Sequence, residues 1–341
     1  MANSYGTSTD AEICEAILKR DYSGLGGVIE DDGVTGIRPY AFFSSTTAQT
    51  IKFPHATWVG RNAFYGCTAT VVDLPWEDIV TIEEYAFYAA SSASANATRH
   101  RSISLDSLES VGEHAFGSGS SNYVADVPLE EVSAAVLTSM AVGLFQNNGS
   151  IQRVSLPSVL AISDEAFKGC KALLEVTAPE ALSIAASAFN NAESLEEAVF
   201  PKVETIGQAA FSRCTGLTRA SFAACQTLDS NVFSGCTVLA EVSFPALSTV
   251  GQNAFENCPA LTQISLPGVT VLPMYLFRGS TGLKKVKLSG QLTTIAAQVF
   301  YSCSSLDTLI LDGITSVPAI ANANALQNTP IQAGTGYIYT N

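Results

Sequence analysis

Apolar and polar residues alternate along this chain in short blocks that recur. Segments of the form V-x-L-P or V-x-F-P appear as VSLP at 154–157, VFP at 199–201, VSFP at 242–245 and ISLP at 264–267. Alternation of period two predicts a strand. In the unit LAEVSFPALSTVGQNAFENC, residues 239–258, it turns Val242 and Phe244 inward and Glu241 and Ser243 outward. Pro245 ends the strand, because proline has no N–H for a ladder. The stretch TVGQNAFENC then predicts a bend at Gly251 and a helical turn. That turn carries Ala254 and Phe255 inward and leaves Gln252, Asn253 and Glu256 outside.

The phenylalanine of this turn sets the period. It recurs as Phe42, Phe64, Phe87, Phe116, Phe145, Phe167, Phe189, Phe211, Phe233, Phe255, Phe277 and Phe300. The spacing is 22 residues at every step from Phe145 to Phe277, and 22 or 23 elsewhere except for two steps of 29. Leu326, in NALQNTP, reads as a degenerate further anchor. A small residue stands three past the anchor, as in Cys67, Cys170, Ala192, Cys214, Cys236, Cys258, Ser280 and Cys303. A unit this short cannot bury its apolar side alone, but stacked copies can.

The pattern L-x-x-V-x-L-P-x-L-x-x-I-G-x-x-A-F-x-x-C resembles the BspA-like leucine-rich-repeat family over about residues 34–330. The resemblance implies an α/β repeat: a right-handed leucine-rich-repeat solenoid of about thirteen coils. Short parallel strands would line the concave face, and short helical turns or irregular structure the convex face. It implies no catalytic residues. It further implies a recognition or adhesion protein of a bacterial cell surface or of a bacteriophage, with a protein or glycan partner. The segment 316–339, SVPAIANANALQNTPIQAGTGYIY, is similar to the closing segment of phage-borne and gut-bacterial members.

Repeat arrays need caps. Residues 1–33 read as a cap helix and lead-in. Thr9 and Glu12 stand at capping-box spacing, Ile13, Ala16 and Ile17 form an apolar stripe, and Gly24, Gly26 and Gly27 break the helix. The alternative for this segment is oligomerisation or attachment, as in a tail-associated phage adhesin. Residues 331–341 read as a closing strand through Tyr337-Ile338-Tyr339. The two long steps place insertions near 89–100 and 128–141. The first reads as a polar loop and the second as a longer helix with Leu129, Val132, Val136 and Leu137 on one face.

Length alone, 341 residues, suggests two or three domains, and the repeat replaces that with one array. The net charge of −14 argues against nucleic acid as a partner. The charge is uneven: residues 257–306 hold no acid and carry Arg278, Lys284, Lys285 and Lys287. No apolar run is long enough for a membrane span, and the N-terminus lacks the basic start and apolar core of a secretory signal. Cell-surface or virion placement is expected from the resemblance nonetheless.

No site chemistry stands out. Six of the eight cysteines share the slot after the anchor. In-register neighbours about 5 Å apart permit disulfides in principle. A slot that also accepts Ala192, Ala90 and Gly119 reads instead as a tight buried position holding thiols. Cys225 is a core residue, and Cys14 lies on the cap helix. His55, His100 and His114 form no acid–base or nucleophile constellation. The run Glu30-Asp31-Asp32 lacks the alternating spacing of a Ca²⁺ loop and reads as a solvated turn. Neither catalysis nor a cofactor is expected. What remains is the outward strand face: Arg153/Ser155, Glu175/Thr177, Glu197/Val199, Arg219/Ser221, Glu241/Ser243, Gln263/Ser265 and Lys285/Lys287. Lysines on a strand edge also discourage unwanted pairing, so Lys285 and Lys287 read either that way or as an anion patch.

Overall fold

The computed structural model describes residues 27–46, 48–69, 71–89, 100–119, 129–289, 292–312, 319–320, 323–331 and 337–340. The chain forms two compact units, Met1–Ala178 and Pro179–Asn341. Each is a stack of parallel coils, with one short repeat per coil, giving a parallel-strand solenoid of about 12 turns in all.

Most coils contribute a longer strand and a two-residue strand; the coil of Glu131–Ser133 has only the longer one. In the first unit the longer strands form two parallel ladders. One runs through Gly27–Glu30, Ala48–Lys52 and Val71–Asp73, the other through Ser102–Ser104, Glu131–Ser133, Arg153–Ser155 and Glu175–Thr177. The first strand thus lies inside the stretch read as lead-in. In the second unit Glu197–Val199, Arg219–Ser221 and Glu241–Ser243 pair in register. So do Gln263–Leu266, Lys285–Ser289, Thr308–Asp312 and Tyr337–Thr340, the last as the expected closing strand. The short strands ladder separately, as in Gly36–Ile37, Trp58–Val59, Thr81–Ile82 and Ser110–Val111.

The anchors build the core. Their rings stack coil upon coil, with centroids 5.1 Å apart for Phe64 and Phe87 and 4.9 Å apart for Phe189 and Phe211, nearly parallel in both pairs. Val154, Leu156, Ala220 and Phe222 point inward from the strands and are buried. Leu326 takes the anchor register, since the Phe300 N–H donates to the carbonyl of Ala325 as the Phe277 N–H does to that of Val299.

Of the two alternatives expected opposite the strands, short helical turns or irregular structure, the described residues show almost entirely the second. Among the described residues the only helical elements are short 3-10 turns at Trp76–Asp78 and Ala323–Leu326. At the anchor turn, alternate N–H groups leave the coil. Those of Asn62, Phe64 and Gly66 donate to Glu84, Ala86 and Tyr88 of the next coil, while those of Ala63, Tyr65 and Cys67 close local bonds to Gly60, Asn62 and Phe64. To aim the first set outward, the residues two before and two after the anchor adopt left-handed backbone, as at Asn62 (φ 55°) and Gly66 (φ 62°). A helix would direct every N–H along its own axis. Bonding between coils wins here.

The helix read at 128–141 is also corrected. Glu131–Ser133 is a strand, in register with Ser102–Ser104 on one side and Arg153–Ser155 on the other. Leu129, Val132 and Leu137 are buried as coil core, and Val136 is 48% exposed, so they share no helical face. The registers leave the extra residues of the first long step where they were expected and place those of the second earlier, each between the anchor turn and the following long strand. One lies between Ala89 and Ser102, the other between Ser118 and Leu129, and Ala89 and Ser118 pair as neighbours. The cap helix, Cys14, Ala90 and residues 91–99 lie outside the described residues.

Candidate functional site: the outward strand face

Alternation in the strand fixes which side chains face outward, and parallel register aligns them into two columns. In the first unit Arg153 lies between Glu131 and Glu175, and Ser155 between Ser133 and Thr177. In the second, Arg219 lies between Glu197 and Glu241, Ser221 between Val199 and Ser243, and Lys285 and Lys287 beside Gln263 and Ser265. Arg153, Glu175, Thr177, Glu197, Val199, Arg219, Glu241, Ser243, Gln263, Ser265, Lys285 and Lys287 are exposed; Ser155 and Ser221 are half-buried. Each expected residue is therefore on the face where the pattern puts it.

The charges arrange themselves by neighbour. The Arg153 Nε donates to Glu131 Oε1 at 2.8 Å, and the same carboxylate takes its Nη2. Hydrogen bonding to Glu131 and its charge push the guanidinium above its ordinary range. Arg219 Nη1 stands 3.9 Å from Glu197 Oε2. Thr177 Oγ1 donates to Glu175 Oε1 at 3.2 Å, and the hydroxyls of Ser104 and Ser133 share a hydrogen bond of 3.0 Å. In the first unit these groups floor a shallow groove of about 280 Å³ lined by Ser102, Glu131, Ser133, Arg153, Ser155, Glu175 and Thr177. The arrangement offers donors and acceptors at a spacing of about 4.8 Å along the stack. That suits an extended partner better than an enclosed small molecule.

Glu131 and Ser133 fall in the stretch near 128–141 that reads as a helix in the sequence, and Ser102 and Ser104, which follow the polar insertion near 89–100, are not among the expected residues either. The signal was present. Leu129, Val132, Leu137, Leu144 and Phe145 stand at the same offsets as Leu239, Val242, Leu247, Ala254 and Phe255.

The other candidate chemistries are placed as follows. His55 sits on an exposed turn, His100 edge-on to Trp76 at 6.1 Å, and His114 stacked on Tyr85 at 5.0 Å. The Asp31 carboxylate accepts the Gly33 N–H at 2.9 Å and shapes a turn. Among the described residues no cluster of three or more His, Cys, Asp or Glu side chains is placed to hold a metal ion, and no helix is long and apolar enough to cross a membrane. The seven described cysteines are free and buried.

The sequence matches the family described as BspA type Leucine rich repeat region (6 copies), in overlapping segments 25–125, 95–218, 138–258 and 217–329. No curated protein matches it. Among solved structures, a leucine-rich repeat protein from Bacteroides ovatus is 20% identical, with 92% of each chain covered and a TM-score of 0.55. A leucine-rich cell surface protein from Faecalibacterium prausnitzii is 21% identical over 90% of this chain and 83% of its own, with a TM-score of 0.44. The pneumococcal vaccine antigen PcpA is 17% identical over 87% and 89%, with a TM-score of 0.46.

Proposed function

Because the chain belongs to the BspA-type leucine-rich-repeat family, we propose that it is a non-catalytic recognition protein that binds a protein or glycan partner over its outward strand face. The observation that carries this reading is the open sheet itself. Parallel sheets are ordinarily covered on both faces. Here the outward side chains of Arg153–Ser155, Glu175–Thr177, Arg219–Ser221 and Glu241–Ser243 form exposed polar columns. Adhesion at a cell surface belongs to this proposal.

Because these side chains are exposed, their substitution should leave the fold intact. The protein is screened on a glycan array and on an array of purified proteins, then each hit is titrated with the Arg219→Ala/Glu241→Ala and Arg153→Ala/Glu175→Ala variants. A partner bound over the strands loses at least tenfold in affinity with one pair or the other, at unchanged melting temperature. Hits that survive both pairs of changes would assign recognition to another surface.

A further inference from the structure

The turn edge of the first unit carries a second surface that the strand face does not include. A groove of about 710 Å³ runs from Pro39 and Tyr40 past Arg61, Glu83 and Glu84 to Glu113 and Val142. Crossing five coils at about 4.8 Å each, it is about 19 Å long, the span of roughly six extended residues. At its head stands an aromatic cluster whose outer rings are exposed and whose inner rings, Tyr65, Tyr85 and Tyr88, are half-buried. Tyr40 is 52% and Phe43 46% exposed. Phe43 stacks on Tyr65 at 5.0 Å and Tyr65 on Tyr88 at 5.2 Å, with Tyr85 edge-on to Tyr88. These rings occupy two positions of the coil, two before and one after the anchor, and neither is needed for the core.

The second unit shows what these positions can hold. There Tyr275 stands two before its anchor, and Arg278 and Tyr301 one after theirs. The Arg278 guanidinium lies 5.2 Å from the Tyr275 ring centre and 6.0 Å from that of Tyr301, with Glu256 at 3.6 Å. An arginine is thus held by two tyrosine faces and a carboxylate, the arrangement that cation–π and charge attraction favour. In the first unit the same positions offer tyrosines, and the groove beside them offers Glu83, Glu84 and Glu113. The basic residue of the groove lining, Arg61, is already paired with Glu84 at 2.7 Å, and its N–H donates to Glu83. Glu113 is exposed and has no side-chain partner among the described residues. Rings and an excess of negative charge are present; the cation is not.

We propose that this groove binds a basic, extended segment of a protein partner, with arginine side chains set against Tyr40 and the carboxylates of Glu83 and Glu113. The probe is a fluorescently labelled hexapeptide of alternating arginine and glycine, titrated by anisotropy. Alternate residues of an extended chain face one way, so its arginines present together. The same peptide with neutral citrulline in place of arginine is the comparison. The expected result is binding of the arginine peptide only, weakened about tenfold by Tyr40→Ser/Phe43→Ser, which changes no charge, and again by Glu113→Gln. The variant Glu196→Gln/Glu204→Gln, which removes two exposed charges outside both surfaces, leaves the affinity within about twofold. Thermal melting of each variant establishes that it is folded. Equal binding of the citrulline peptide, indifference to loss of the rings, or equal weakening by the remote charge variant would overturn the proposal. So would displacement of the peptide by a neutral oligosaccharide such as maltohexaose, which would make the ring cluster a sugar platform.

Discussion

Cys214, Cys236 and Cys258 each stand three residues past an anchor, and each thiol donates to the carbonyl of the anchor one coil earlier: Phe189 at 3.0 Å, Phe211 at 3.0 Å and Phe233 at 3.2 Å. Ser280 does the same to Phe255 at 2.7 Å. The slot therefore selects for a small side chain with a donor as well as for size, which is why Cys and Ser recur in it. Burial pushes these thiols up: Cys214, Cys258 and Cys303 to about 12 and Cys67 to about 11, against 9.0 for a free thiol. A raised thiol stays protonated in the folded state while its unfolded counterpart ionises. Its contribution is complete below pH 9 and is lost as pH rises from about 9 toward 12, at about 1.4 kcal/mol per thiol per pH unit. The urea midpoint should be level from pH 7 to 8.5 and fall steeply between pH 9 and 10.5. Cys214→Ser/Cys258→Ser should flatten that fall, since serine is accommodated at Ser280. An unchanged slope in that variant would remove buried thiols as the cause. The sequence made the slot's size evident, because Ala192 shares it. The acceptor was not evident, because it is a backbone carbonyl from 25 residues away in sequence.

At the scale of the element, most strands are readable in the sequence and the anchor turns are not, for one physical reason. A strand's side-chain alternation is set by burial and appears in the sequence as period two. The anchor turn is set by hydrogen bonds to the next coil, which leave little mark on residue type. Its left-handed positions include Tyr40, Glu165, Ala209 and Arg213 alongside the glycines and asparagines that ordinarily signal such backbone. Gly143 is a case where the residue type does matter. Its φ is +60°, and a Cβ there would come within 2.3 Å of the His114 ring, which stacks on Tyr85. Gly143→Ala must therefore bear the left-handed penalty and displace His114. A loss of about 2 kcal/mol is expected in chemical denaturation. In the Gly143→Ala/His114→Ala pair the second change should cost less than it does alone, because the clash has gone. Additive losses in that cycle would place the whole cost in the backbone. The open strand face follows from the same element: outward residues such as Arg219 are exposed and stand beside their neighbours along the ladder. An exposed pair of this kind contributes at most about 1 kcal/mol to folding, which leaves it available for recognition.

At the scale of the molecule, repetition governs stability. The 22-residue spacing is enough to predict the stack, while the site of the second insertion is clear only from strand register, because a seven-residue excess without a polar run such as 91–99 carries no label of where it enters. Within the second unit the anchors form a column in which each touches its neighbours. Phe233 stacks on Phe211 at 5.4 Å and on Phe255 at 5.5 Å and leans on Phe244 at 5.8 Å. In such a column stability is nearly a sum of coil terms and nearest-neighbour terms. Phe233→Ala leaves a cavity at one level, with a local cost of about 3–5 kcal/mol. The consequence should be graded. Amides of Arg219–Ser221, Thr227–Leu228 and Glu241–Ser243, which belong to the coils sharing the lost ring, should exchange faster by orders of magnitude. Those of Lys285–Ser289, two coils beyond, should keep most of their protection, because their own anchors Phe277 and Phe300 still stack at 5.5 Å. Hydrogen exchange read by mass spectrometry resolves the two outcomes. A uniform loss of protection from Glu197 to Asp312 would mean that the unit opens as one cooperative body, and the nearest-neighbour description of its energetics would fail. A graded loss would mean that single coils can vary, on the strand face and at the turn edge alike, without endangering the rest of the stack.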